Sequence, residues 1–223
     1  MTDERVLKPY DVQVPVAAGR DEVWEAVTQP ALLRQWFGWD YDGLDAEIRQ
    51  IFVDEATLWA PERMGWADGS YLEVDGDDER STVRAVREGP RPADPDVYDA
   101  IEEGWRAFLT QLQFFLNERP KGIRRTLYLT GEARPQQAMG LVDGEWDRIG
   151  SRLARTLDEN GHLVLVAGHL PLAAPEPGRI EITISTYGLD DEAFEAYRDA
   201  WERRWTSLAG DPQVTVAGTP APQ

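Results

Sequence analysis

The chain has 223 residues, with 23 Lys and Arg against 41 Asp and Glu, for a formal net charge of -18. That balance argues against a nucleic-acid binder, which needs a basic face for the phosphate backbone, and against docking on an anionic membrane. With no cysteine and two histidines, disulfides, thiolate zinc sites, iron–sulfur clusters, a cysteine nucleophile and a His-rich metal site are all excluded. Forty-two per cent of the residues are hydrophobic, enough for a packed core. The charged start, MTDERVLKPYD, lacks a secretory pattern. No run approaches the roughly 18 apolar residues of a membrane span, so a cytoplasmic location is expected.

The segment YDVQVPV alternates apolar and polar residues and reads as a strand. Gly19 ends it, and Asp21 and Glu22 fit the acidic first turn of a helix carrying Val23, Trp24 and Val27. Pro30 stops that helix and opens a second with Leu32, Leu33, Trp36 and Phe37 on its apolar face, ending at Gly38. From Trp39 to Gly89 the pattern predicts a meander of three to five strands. It includes one among the β-formers of Ile48 to Val53, and Asp68-Gly69 and Asp75-Gly76 supply hairpin dipeptides.

The clearest helix is expected over about 95–117, with Asp94 as N-cap and Pro95 in the first turn. Val97, Ile101, Trp105, Phe108, Leu112 and Phe115 form its apolar stripe. A strand follows around Thr126 to Leu129. Trp146, Ile149, Leu153 and Leu157 have helical spacing, which predicts a helix over 145–157. HLVLVAGHL and RIEITISTYG read as strands. A last helix over about 191–208 carries Phe194, Tyr197, Trp201, Trp205 and Leu208, and the tail 211–223 is expected to be flexible. At an offset of 96, Asp94, Ala100, Trp105, Thr110 and Leu112 match Asp190, Ala196, Trp201, Thr206 and Leu208. That match leaves open whether the chain holds two related halves or one chain with two similar helices.

The strand followed by VQVPVAAGRDEVWEAVTQPALLRQWFG, the DGSYLEV strand and the Gly104-Trp105 helix resemble the SRPBCC superfamily. Its nearest branch in pattern is the bacterial homologues of the activator of the 90-kDa heat-shock protein ATPase. Val23, Trp24, Trp36 and Phe37 carry the paired-helix part of the match, which covers about residues 5–118. The resemblance implies an α+β helix-grip domain over 1–118, an antiparallel sheet wrapped around a long C-terminal helix. A smaller α+β unit over 119–210 follows, open to being a degenerate copy. It further implies binding of a small hydrophobic or aromatic molecule between sheet and helix, without catalysis and without a cofactor.

Trp36, Phe37, Trp59, Trp66, Tyr71, Trp105, Phe108 and Leu112 are the candidate lining residues, set against a plain packing role that aromatics at helical spacing usually have. The acids Asp40, Asp42, Asp45 and Glu47 do not follow calcium-loop order and read as solvated turns. His162 and His169, seven apart around a strand, are expected on opposite faces, and one of them acting as acid or base with Glu181 or Asp143 stays open as a minor alternative. Two alternatives stay open: a polyketide-cyclase-like or hydratase-type enzyme, marked by a shifted buried carboxylate or His, and a co-chaperone-type interaction module, marked by an exposed apolar patch. Homodimerisation through a sheet edge or the Trp201 and Trp205 helix is also open.

Overall fold

The computed structural model describes residues 8–90 and 97–221. The chain forms two compact units, one from Met1–Leu33 with Ile48–Asn117 and the other from Arg34–Glu47 with Glu118–Gln223. Fourteen residues of the first half therefore pack with the second unit.

In the first unit, β1 (Tyr10–Val16) buries Tyr10, Val12, Val14 and Val16 and exposes the residues between them. That alternation is the pleat read directly off YDVQVPV. After α1 (Arg20–Thr28) and α2 (Pro30–Leu33), the stretch expected as a strand is instead α3 (Leu44–Arg49) continued by a π-helical turn, Gln50–Asp54. Leu44, Ile48 and Phe52 recur every four residues and are all buried. Burial of that stripe outweighs the β-propensity of Ile51 and Val53. The meander itself is β2 (Thr57–Trp59), β3 (Arg63–Gly65), β4 (Tyr71–Gly76) and β5 (Ser81–Arg87), in sheet order β1-β5-β4-β3-β2.

The long helix α4 (Ala100–Glu118) lies along β1 in the same direction. Near its start, Lys8 pairs with Glu102 at 2.8 Å and Arg87 with Asp99 at 2.9 Å. Near its end, Gln113 donates to the Pro15 carbonyl at 2.7 Å, and the Asn117 side chain accepts the Ala17 N–H at 2.8 Å. The cap expected at Asp94 and Pro95 lies outside the described residues. Asp99 caps the observed helix, accepting the N–H groups of Ile101 and Glu102 at 3.0 and 2.9 Å. Val97 and Ile101 are exposed, Trp105 and Phe108 are half-buried, and full burial begins only at Leu109.

The second unit holds β6 (Arg124–Ala133), α5 (Pro135–Met139), β7 (Asp147–Arg148), β8 (Leu153–Leu157), β9 (Leu163–Gly168), β10 (Gly178–Tyr187), α6 (Asp191–Leu208) and β11 (Gly210–Thr215). The helix expected over 145–157 is absent, and β7 and β8 take its place. A spacing of four puts Leu153 and Leu157 on one side of a strand as well as of a helix, so that spacing did not discriminate. The tail expected to be flexible contributes β11 to the sheet edge beside β6. Gly122 and Gly188 meet where β6 begins and β10 ends. Both have positive φ, and a Cβ on Gly122 would stand 2.5 Å from the Gly188 Cα, which only glycine tolerates.

One face of this sheet carries Leu127, Leu129, Ile180, Ile182, Ile184, Val164 and Val166 against Phe194, Trp201 and Trp205 of α6. The second sheet runs β11-β6-β10-β9-β8-β7. Setting β11 aside, both units follow one path: first strand, last strand, then the meander in reverse, with a long helix after the last strand. Each unit is α+β with an antiparallel sheet gripping a long helix, and the second has six strands to the first unit's five.

Candidate ligand-binding site

Strand parity decides which side chains face α4 in the first unit. The register pairs Tyr10 with Arg87, Val12 with Ala85 and Val14 with Val83, and continues through Leu72 and Val74 to Met64. Directly opposed residues share a face, so this whole set lies on the apolar side of the sheet.

Four rings extend along the α4 side. Phe52 meets Trp66 edge-on at 6.2 Å, Trp66 lies 5.7 Å from Trp105, and Trp105 meets Phe108 edge-on at 6.3 Å. The Trp66 indole N–H donates to the Ile51 carbonyl at 2.8 Å, which fixes that ring. Trp66, Trp105 and Phe108 are half-buried, while Leu109 and Leu112 beneath them are fully buried.

A polar end adjoins this wall. The Tyr10 hydroxyl interacts with Ser70 and with the Trp105 indole, and burial, with Asp68 nearby, pushes its ionisation up against the opposing pull of Arg87. Tyr10 is therefore neutral at ordinary pH, with its oxygen accepting from Ser70 and the Trp105 indole N–H. The Arg87 guanidinium stacks 4.7 Å over the Tyr10 ring. Its Nε donates to the Lys8 carbonyl at 2.8 Å and its Nη2 to Asp99 at 2.9 Å.

Of the sequence candidates, Trp66, Trp105, Phe108 and Leu112 come together here. Tyr71 and Trp59 do not. Tyr71 is opposed to Val86 and lies on the other face of the sheet under the Arg63 guanidinium, 4.1 Å from its ring. Trp59 opposes Arg63 on that same outer face and is 56% exposed. Trp36 and Phe37 are buried and belong to the other unit.

Sequence reading passed over Tyr10, Phe52, Asp99 and Arg87. A signal for Arg87 was present, since in STVRAVR it falls in phase with the buried Ser81, Val83 and Ala85. A charge on the apolar phase of a strand marks a buried ionic group.

The second unit differs along its long helix. Trp201, which matches Trp105 at the offset of 96, is fully packed between α6 and its sheet. His162 meets the Tyr197 ring of α6 edge-on at 5.1 Å. His169 lies on the opposite side of the sheet, with Nε2 3.1 Å from Glu181 Oε1. Burial raises the Glu181 carboxyl, but hydrogen bonds from His169 and Tyr128 outweigh it and hold it below the usual carboxylate value. The stability this confers is present above the unfolded carboxylate value and is lost as pH falls through the folded one. Glu181→Gln is thus expected to flatten the acid limb of a stability-versus-pH curve below about pH 4.5. An unchanged acid limb in urea melts would refute that assignment.

Among the described residues, no three His, Asp or Glu side chains converge to hold a metal. No helix there is long and apolar enough to cross a membrane. Asp40 is no solvated turn residue: it is buried, and its carboxylate accepts the Thr126 N–H at 2.7 Å.

The first unit is thus a helix-grip α+β fold with a half-open aromatic face, and the second repeats its strand order around a core that holds the buried Trp201 and Trp205. No family profile and no curated protein matches the chain. Two solved structures align over most of it. DynU16, from the dynemicin biosynthetic locus, is 16% identical, with 90% of this chain and 96% of that one covered and a TM-score of 0.35. The di-domain ARO/CYC BexL, from the BE-7585A biosynthetic pathway, is 13% identical, with 88% and 94% covered and a TM-score of 0.36.

Proposed function

We propose that this protein binds a small hydrophobic or aromatic molecule between the sheet and α4 of its first unit, without catalysing a reaction on it. The observation that carries this reading is the contrast between Trp105 and Trp201. The two tryptophans match at the sequence offset of 96, Trp105 in the second turn of α4 and Trp201 near the middle of α6, yet Trp201 is sealed into a core and Trp105 stays half-open beside two other half-open rings. Aromatic walls left partly open in this way suit a flat apolar ligand. The shared strand order and the matched helices support reading the two halves as copies of one unit, one kept open and one filled in.

Tyr10 is held neutral and Asp99 is spent on Arg87 and the helix cap. The polar end is therefore equipped to hold a ligand rather than to abstract a proton. Of Val23, Trp24, Trp36 and Phe37, which carry the resemblance to the heat-shock ATPase activator branch, Trp24 is half-buried and the other three are buried. They serve the fold, which favours a carrier over a co-chaperone module.

Native mass spectrometry of the gently purified protein is expected to show a mass excess lost on denaturation, with the released molecule apolar or aromatic. Naphthalene, as a probe, is expected to bind saturably in equilibrium dialysis and to lose about tenfold or more in affinity in Trp105→Ala. The absence of both a released molecule and saturable naphthalene binding would overturn the reading.

A further inference from the structure

Arg87 is buried, with its side chain 3% exposed. A guanidinium carries five N–H donors. Nε serves the Lys8 carbonyl and Nη2 serves Asp99, but Nη1 has no hydrogen-bond partner among the described residues. A buried charged donor left unmatched is costly, and native structures seldom retain one without use. Here it stands over Tyr10, whose hydroxyl reaches the Trp105 indole at the end of the aromatic wall.

The surrounding charges narrow what Nη1 can take. Asp99 already neutralises Arg87 at 2.9 Å, Glu102 already neutralises Lys8 at 2.8 Å, and Asp68 stands close enough to Tyr10 to raise its ionisation. A ligand carboxylate would therefore face two protein carboxylates, Asp68 and Asp99, with a single arginine already paired. A neutral oxygen acceptor meets the free N–H without that repulsion.

We propose that Arg87 Nη1 is the recognition point for an uncharged oxygen, a phenol hydroxyl or an aryl ketone carbonyl, on an aromatic ligand lying along Trp66 and Trp105. This inference rests on the ligand-binding reading above and adds the chemical class of the ligand.

The test compares three probes of nearly equal size at neutral pH by equilibrium dialysis: naphthalene, 2-naphthol and 2-naphthoate. The expected result is that 2-naphthol binds at least about tenfold tighter than naphthalene, as one hydrogen bond to a charged donor would give, and that 2-naphthoate binds more weakly than 2-naphthol. Arg87→Met is expected to remove the preference for 2-naphthol while naphthalene still binds. Should Arg87→Met fail to fold with Asp99 left unpaired, the wild-type rank order decides by itself, and Arg87→Lys provides a charged control. Equal binding of naphthalene and 2-naphthol to the wild type would overturn the role of Arg87 and leave the ligand site standing. Tightest binding by 2-naphthoate would overturn the neutral-acceptor assignment. No binding of any probe would overturn the ligand-binding reading, and this inference with it.

Discussion

Arg124→Met is expected to cost about 2–5 kcal/mol in urea unfolding, because it strips buried acceptors of their charged donor. Arg124 is buried, and that burial depresses its ionisation. It donates from Nη1 to the Phe37 carbonyl at 2.9 Å, from Nη2 to the Gly38 carbonyl at 2.7 Å and from Nε to Ser185 at 3.2 Å. These bonds hold the 34–47 segment on the face of the second sheet away from α6. Asp40 bonded to Thr126, and Trp39 stacked 3.8 Å over Tyr128, complete the attachment. Methionine fills similar space but leaves two buried carbonyls without their donor, each costing about 1–3 kcal/mol.

The neighbouring Arg125 is the control. It pairs at 2.8 Å with Asp191, whose side chain is 99% exposed, and lies over the Phe194 ring at 3.8 Å. Arg125→Met should cost no more than about 1 kcal/mol, as surface ion pairs and exposed cation–π contacts usually do. Equal losses in the two variants would show that the segment is not held by Arg124.

Trp205→Ala is expected to cost about 3–5 kcal/mol, the usual range for a buried tryptophan cut to alanine. Trp205 is fully buried and donates its indole N–H to the Thr130 carbonyl at 3.0 Å. Its ring lies against Gly131, where an added Cβ would sit 3.2 Å from the Trp205 ring and 2.9 Å from the Gly210 carbonyl. Trp59→Ala removes the same side chain from an outer, largely exposed position and should change stability by less than about 0.5 kcal/mol. Thermal or urea melts of the two variants measure the contrast directly. A small loss in Trp205→Ala would mean that the α6 interface can collapse around the gap.

Local periodicity explains what could be read from the chain. The alternation of YDVQVPV placed β1 and its buried phase. The stripes Trp105–Phe108–Leu112 and Phe194–Trp201–Trp205 placed the two long helices. The turn dipeptide Asp68-Gly69 falls between the paired β3 and β4 with Gly69 at positive φ, whereas Gly76 of Asp75-Gly76 is the last residue of β4. Where two periods coincide, the reading failed. Leu44, Ile48 and Phe52 were hidden among β-formers, and Leu153 and Leu157 satisfied helix and strand alike.

The candidate site was half legible for the same reason. Trp105, Phe108 and Leu112 share a helix face that spacing reveals. Tyr71 and Trp59 looked equivalent to Trp66, but their facing depends on cross-strand register with Val86 and Arg63. A slip of one residue would exchange the two faces.

The sequence by itself determined the α+β class, the two gripping helices and the aromatic character of the first, because these follow from the order of neighbouring residues. Tertiary structure alone decided that residues 34–47 pack with the second unit, that Trp105 stays half-open while Trp201 is sealed in, and that Arg87 keeps a buried donor unmatched among the described residues. Each of these depends on a partner far along the chain: Arg124 for the segment, the β6–β10 face for Trp201, Tyr10 and Asp99 for Arg87. No local pattern records such a partner, because it is selected by packing and by the need to satisfy buried charge.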